Sequence, residues 1–302
     1  MIALLAVEWR RVLARRLVRV SAALAVLAVL AAGAIAFLVS RDTDAASLAQ
    51  AQAARQVEVQ RCVSGQLEGV PAEVPADHRA EFCEQGFIPQ VPDRRFHYEH
   101  LSEILVGTSG FAIILGWLLG ASLVGAEWHA NTMATLLTWE PRRVRVLVAK
   151  LVAAGTLVFA LTVGLQLLLG AALLPAGLLR GTTQAIDAGW LRSLSGVGLR
   201  VAAVSVVGAT MGASIATIGR NTAAALGIAF GYLAIVENAI RGLRPNWTPW
   251  LLGDNSVVVI TNQPQNFPLL GRSTLAAATL VVCYTLALLA VALLSFRRRD
   301  IA

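Results

Sequence analysis

Residues 104–124 read ILVGTSGFAIILGWLLGASLV, and no charged side chain interrupts them. A run of about 20 apolar residues is long enough to cross a bilayer as a helix. Lipid offers the backbone no hydrogen-bond partner, so such a run has to be helical. Working outward, five further runs have the same character: Val20–Val39, Leu151–Leu174, Leu194–Ile218, Ala223–Ile240 and Thr274–Phe296. Those holding Arg200 and Glu237 are the weaker ones. The composition agrees, with 57% hydrophobic and 14% charged residues, against roughly 45–50% and 25% in soluble domains. The sequence therefore predicts an all-α polytopic membrane protein with six transmembrane helices.

The formal net charge of +7 would point to nucleic acid only if it formed a patch, and it does not. The basic residues flank alternate span ends: Arg10, Arg11, Arg15, Arg16 and Arg19; Arg142, Arg143, Arg145 and Lys150; Arg220; and Arg297, Arg298 and Arg299. With six spans all four groups fall on one side, which the positive-inside rule makes cytoplasmic. Both termini are then cytoplasmic, in a multi-pass protein of the cell (plasma) membrane. A single lysine among so many arginines is the composition expected of a GC-rich bacterial genome.

The chain divides into four regions: 1–19, a cytoplasmic interfacial helix; 20–40, the first span; 41–103, a small extracytoplasmic domain between helices one and two; and 104–302, the remaining spans. In the first region Leu5, Trp9, Val12, Leu13 and Leu17 share one helical face, while Arg11, Arg15 and Arg19 recur on the other. That pattern suits an amphipathic helix lying in the membrane interface, anchored by Trp9, Arg11, Arg15 and Arg19. The apolar run after it is about 20 residues, too long for the 7–15-residue core of a signal peptide. Residues 44–60, DAASLAQAQAARQVEVQ, are helical by propensity, and prolines 71, 75, 89 and 92 break regular structure over the rest of this domain. Cys62 and Cys83 both lie outside, where oxidation is permitted; a disulfide between them is expected, two free thiols being the alternative. Cys283, within the last span, reads as a small packing residue. His97 and His100 are one helical turn apart, but neither His78 nor any other residue supplies a third ligand at a defined spacing, so no metal site is expected. Gly116/Gly120, Gly208/Gly212 and Gly227/Gly231 have the spacing that lets helix backbones approach closely in lipid.

No catalytic constellation emerges, and the chain is not read as an enzyme. LSGVG at 194–198 partly matches a signature motif of transporter ATPases, yet it lies at the start of a span. A phosphate-binding loop needs Gly-Lys-Ser/Thr, and Lys150 stands between Ala149 and Leu151. The chain is expected to bind no cofactor itself.

The polar stretch GAEWHANTMATLLTWEPRR, residues 125–143, lies on the cytoplasmic side between the second and third spans. A glutamate after the second span, a Thr-Leu-Leu type helix, a proline, an arginine and a lysine make up a pattern that resembles the permease subunits of type-2 ATP-binding-cassette (ABC-2) exporters. The matching residues are Glu127, Thr132, Leu136, Leu137, Pro141, Arg143 and Lys150, with Arg142 alongside. Asn131 stands where that family often has a glycine. The resemblance extends to the basic N-terminal helix, the six spans and the terminal FRRRDIA. It implies that 126–141 is a coupling helix docking on a separate ATPase subunit, which would hold ATP and Mg. It further implies a dimer of six-span subunits, homo- or heterodimeric, with two ATPase copies, moving its cargo out of the cytoplasm.

The resemblance also implies that the second and fifth spans line the pathway. Thr108, Ser109, Ser122 and Tyr232 are its sparse polar points, which suits a hydrophobic or amphipathic cargo such as a drug, lipid or peptide. Arg200 and Glu237 are further candidates: they form an ion pair, or each snorkels to the outer surface, or Glu237 alone meets cargo. A sensor or scaffold whose 41–103 domain reads an external ligand without transport is the alternative function. A secondary transporter would call for paired ionisable residues near the midplane, where these two do not lie.

Overall fold

The computed structural model describes residues 2–41, 45–66, 75, 78–84, 93, 95–130, 132–183, 186–267 and 270–298. Its helices are α1 (Ile2–Ala14), α2 (Arg16–Val39), α3 (Ala45–Val63), α4 (Arg79–Phe82), α5 (Leu101–His129), α6 (Thr132–Trp139) and α7 (Arg143–Arg180). They continue with α8 (Ala188–Gly219), α9 (Thr222–Phe230), α10 (Glu237–Leu243), α11 (Leu252–Thr261) and α12 (Thr274–Arg298). A π-helical stretch, Gly231–Val236, fuses α9 to α10. Six helices are long and apolar enough to cross a membrane: α2, Tyr98–His129, α7, α8, Thr222–Leu243 and α12. The protein is an all-α polytopic membrane protein. Each helix outruns its apolar core; α7, expected over 151–174, spans 38 residues, about 57 Å at 1.5 Å per residue, well beyond the ~30 Å of a hydrocarbon core.

Contacts divide the chain into two compact units, one of residues 1–30, 99–170 and 185–302, the other of 31–98 and 171–184. In the first, the fourth span is the most enclosed. Of its most apolar stretch 72% is buried, against 11% for the first and fifth spans. Its closeness to α5 depends on small residues. A Cβ on Gly116 or Gly120 of α5 would strike the backbone at Ser205 or Ala209 of α8. One on Gly208 or Gly212 would meet Ile113 or Trp117 of α5. Two glycine pairs thus face each other's helices, the close crossing that small residues permit in lipid. Gly227 and Gly231, which share the spacing, have open space around them, so the spacing alone does not make a contact. The Trp117 indole, buried in the same seam, donates to the Ala225 carbonyl at 3.2 Å.

A second core lies where α1 and α2 meet α5 and α7. Val12, Val18 and Ala25 pack with Leu115, Leu119, Leu123, Ala154, Leu157 and Val158. Only part of the expected apolar face is used: Val12 is buried and Trp9 packs against this core, but Leu13 and Leu17 remain exposed. The helix breaks at Arg15, between α1 and α2.

The second unit joins 41–98 to the ends of α2 and α7, while 99–103 belong to the first unit, so 41–103 is not a body by itself. Phe96–His97 pairs in parallel with Gly181–Thr182. Gly181 lies so close to the Phe96 carbonyl that any Cβ would collide with it. The Arg180 guanidinium stacks 4.0 Å over the Phe37 ring and donates to the Phe37 carbonyl at 2.7 Å. Cys62 and Cys83 are joined by a disulfide that closes a loop of sequence separation 21, and both are fully buried. Closing a loop of that size removes about 3 kcal/mol of unfolded-chain entropy in the simplest treatment. Prolines 71, 89 and 92 lie outside the described residues. Cys283 is exposed on α12 and is not the interior packing residue expected.

In detergent, a maleimide should therefore modify Cys62 and Cys83 only after reductant, while Cys283, midway along α12 and facing lipid or detergent, should stay unlabelled in the folded protein. Labelling of Cys62 or Cys83 without reductant would contradict the disulfide.

Candidate functional site

The stretch after the second span is built from that span's end outward. Gly125 permits close contact with Thr222 at the start of α9, where a side chain would clash. Asn221 caps α9, its side chain accepting from the Ala223 N–H at 2.8 Å, the usual use of Asn at a helix start. Arg220, in the left-handed conformation (φ 53°), ends α8 and lies 4.7 Å over the Trp128 ring. Trp128 in turn meets Phe296 edge to face at 6.0 Å. Arg143 reaches the last carbonyls of α12, those of Phe296 (3.4 Å) and Arg297 (3.5 Å), where a cation offsets the negative end of the helix.

Helix α6 is short, eight residues. Thr132 Oγ1 donates to the Glu127 carbonyl at 3.4 Å, Met133 is buried, and Leu137 packs against the main core. The other face looks outward: Thr132, Thr135 and Trp139 are exposed, Trp139 to 86%. Pro141 ends the segment, and Arg145 lies 3.7 Å from Glu140 across the turn. A groove of ≈ 720 Å³ runs between this face and the α1–α2 break, lined by Arg11, Arg15, Glu127, Thr135, Leu136 and Trp139 among others.

Behind α6 lies a buried ion cluster. Lys150 Nζ lies 3.0 Å from both carboxylate oxygens of Glu8 and 2.6 Å from Glu127 Oε2. The Glu127 contact is a charge contact and not an aligned hydrogen bond. Arg15 donates to Glu127 Oε1 at 2.8 Å and to the Ser122 carbonyl at 2.9 Å. Glu8, Glu127 and Lys150 are each at most 6% exposed. Two acids and two bases balance, with Arg11 3.6 Å from Glu8 at the rim. Burying charges is costly unless each is paired; here every one is. The cluster ties α1 to the end of α5 and the start of α7, the two helices that α6 connects.

These positions revise three expectations. Glu127 braces α6 from inside and is not part of its outer face. Arg143 caps α12. Arg15, expected as an interfacial anchor, turns inward because Glu127 and the Ser122 carbonyl await it; Arg11 stays half-exposed, and Arg19 folds back onto the Ala14 carbonyl. Asn131 lies outside the described residues, and Arg142 and Pro141 are exposed. Glu8 and Trp139 were not singled out in the sequence, and Lys150 only as part of a motif. A signal was present, since Glu8 is the sole acid before Asp42 and Lys150 the sole lysine of the chain.

The pathway candidates do not converge on one cavity. Thr108, Ser109 and Ser122 donate back to carbonyls of their own helix, at 2.8, 2.6 and 3.0 Å, a common fate of hydroxyls in apolar helices. The Tyr232 hydroxyl accepts from the Leu252 N–H at 3.3 Å. Glu237, 1% exposed, accepts from the Gly253 N–H at 2.8 Å and from Arg241 at 2.9 Å; Arg241 also reaches Asp254 at 2.9 Å. Gly253 is needed there, because a Cβ would press on the Glu237 carboxylate. Arg200 instead donates from Nε to the Ile260 carbonyl at 2.9 Å. Among the described residues, Arg200 and Glu237 do not pair: i,i+4 placement on one helix puts Arg241 within reach of Glu237 first. In the second unit, Arg95 holds the Asp93 carboxyl well below the usual carboxylate range, and His97 lies 3.1 Å from the same group. His100 faces Glu103 at 3.1 Å.

Replacing Lys150 by Met should leave two carboxylates buried beside each other and cost about 3–5 kcal/mol. Arg11→Ala, at the half-exposed rim, should cost less than about 1 kcal/mol. Detergent-phase unfolding of the two variants checks the difference, and equal losses would contradict the cluster. No family model matches the sequence, and no curated protein does either.

Proposed function

We propose that the chain is the membrane-spanning permease subunit of an ABC-2 type exporter, driven by ATP hydrolysed on a separate subunit. Two copies, or this chain and a related one, form the permease in the plasma membrane, with both termini cytoplasmic and two ATPase subunits beneath. The observation that carries this reading is the outward face of α6, with Trp139 exposed at its tip. A bare aromatic on a short helix is a docking anchor: tryptophan is enriched among residues that dominate interface energy. The ion cluster behind it gives the contact mechanical consequence. A push on α6 acts on α5 and α7 together, and through Glu8 and Arg15 on α1. Rigid elements locked by charge move as bodies, which is what switching a central pathway between inward- and outward-facing states requires.

Two further features support the reading. The fifth span exposes Ile228, Phe230, Ile235 and Val236, apolar surface for a second permease subunit. An apolar groove of ≈ 580 Å³, lined by Leu151, Phe159, Val206 and Leu289 among others, suits a hydrophobic or amphipathic cargo, although it lies on the third, fourth and sixth spans and not on the second and fifth.

An ATPase should co-purify with the wild-type chain, and its activity should depend on the permease. Trp139→Asp should reduce that association about tenfold or more while leaving the permease folded in the membrane. Wild-type ATPase stimulation by Trp139→Asp and by a Thr135→Arg variant would remove the reading.

A further inference from the structure

At the end of the bundle where α8 begins there is a second cavity, of ≈ 550 Å³, between the starts of α5 and α8 and the end of α11. It is polar. Arg192 and Arg200 enter it from α8, with Glu103, Ser193, Thr261 and Asn262 around them. The two arginines are two turns apart, about 12 Å along the helix, so the cavity runs from the start of α8 into its apolar length.

Among the described residues, no carboxylate neutralises either arginine. Arg200 spends its Nε–H on the Ile260 carbonyl at 2.9 Å, which fixes one edge of the guanidinium. Its Nη1 lies over Gly196, where even a Cβ would be 3.5 Å away, and Gly196 itself lines the cavity. The absent side chain leaves those N–H groups open to it. Among the described residues, neither Arg192 nor Arg200 makes an ion pair. Of the residues that line the cavity, Glu103 alone carries a carboxylate. Glu103, at the rim with its side chain 75% exposed, lies 3.1 Å from His100. A cation three turns inside an apolar helix costs a few kcal/mol unless water or a counter-charge meets it. A cavity of this size admits both water and a ligand group.

We propose that this cavity binds the phosphate or carboxylate head of an anionic amphipathic molecule, held between Arg192 and Arg200. Two guanidinium forks present several donors at fixed angles, the geometry that suits planar or tetrahedral oxyanions. Hydroxyl and amide groups of Ser193, Thr261 and Asn262 complete a polar rim. The site does not depend on the exporter reading, since binding is measured on the permease alone.

The test uses the purified full chain in detergent and dihexanoyl phosphatidic acid as probe, with dihexanoylglycerol as its neutral counterpart and inorganic phosphate as competitor. Saturable binding of the acid is expected, weakened about tenfold by Arg200→Gln and by Arg192→Gln, the loss of one charge-assisted contact each. Arg200→Lys should recover part of it, and Arg10→Gln, on exposed α1, should leave it unchanged. Arg192 makes no bond comparable to that of Arg200 with Ile260, so Arg192→Gln tests the site without touching that anchor. Displacement by inorganic phosphate would support a site for the anion itself, and resistance to it a site that also needs the chain. Undiminished binding in the double variant, or equal binding of dihexanoylglycerol, would overturn the proposal.

Discussion

Three buried charges, and the half-buried arginine that closes on them, constrain everything around them. Glu8, Lys150, Glu127 and Arg15 come from three separate stretches of chain, and none is tolerable at that depth without the others. Lys150 has to enter α7 facing α1, Glu127 has to end α5 facing α7, and the chain has to break at Arg15 so that its side chain can turn back. Once those conditions hold, α6 has little freedom left. It is suspended between Glu127 and Arg143, with Met133 and Leu137 pinned to the core and Trp139 left outside.

The remainder of the bundle supplies a stiff frame for that arrangement. The α5–α8 crossing is closed by glycines on both helices, and such contact through backbones, with no long side chains between, resists shear. Arg143 on the last carbonyls of α12 and Arg220 on Trp128 join the neighbouring helix ends to the same region. Local charge and local packing therefore point the same way, the mark of a sequence that specifies one arrangement. The fifth span is the exception. It is poorly covered, it contains a π-helical stretch at Gly231–Val236, and it is anchored to the neighbouring segment by Tyr232 on the Leu252 amide and by Glu237 with Arg241, Asp254 and the Gly253 amide. Such a stretch is frequently functional.

Much of the fold was legible because lipid leaves few choices. An uncharged run such as 104–124 can only be a helix in lipid, and the six runs read this way match the six long apolar helices. A short helix before Pro141 was likewise visible, but not its bounds: 126–129 belong to the end of α5, and the helix itself is Thr132–Trp139. Ion partners were less legible. Glu127 was legible only as part of the coupling motif, and nothing local in the sequence shows it as a buried brace; its direction depends on Lys150 and Arg15, which lie 23 and 112 positions away in sequence. The pairing of Arg200 with Glu237 failed for the same reason. Arg241, four residues from Glu237 on the same helix, takes the carboxylate at 2.9 Å, and Arg200 turns to the Ile260 carbonyl. Cys283 shows the limit from the other side, since a small residue in a span faces inward or outward according to its neighbours and not its chemistry.

The claim that the buried cluster ties α1 to α7 and backs α6 is tested most directly by a double-mutant cycle on Glu8→Gln and Lys150→Met, read as unfolding free energy in mixed micelles. The account predicts strong non-additivity: the double variant should be more stable than the sum of the single losses allows, by about 1 kcal/mol or more. Additivity to within about 0.5 kcal/mol would mean that the two side chains do not interact, and the brace behind α6 would be gone.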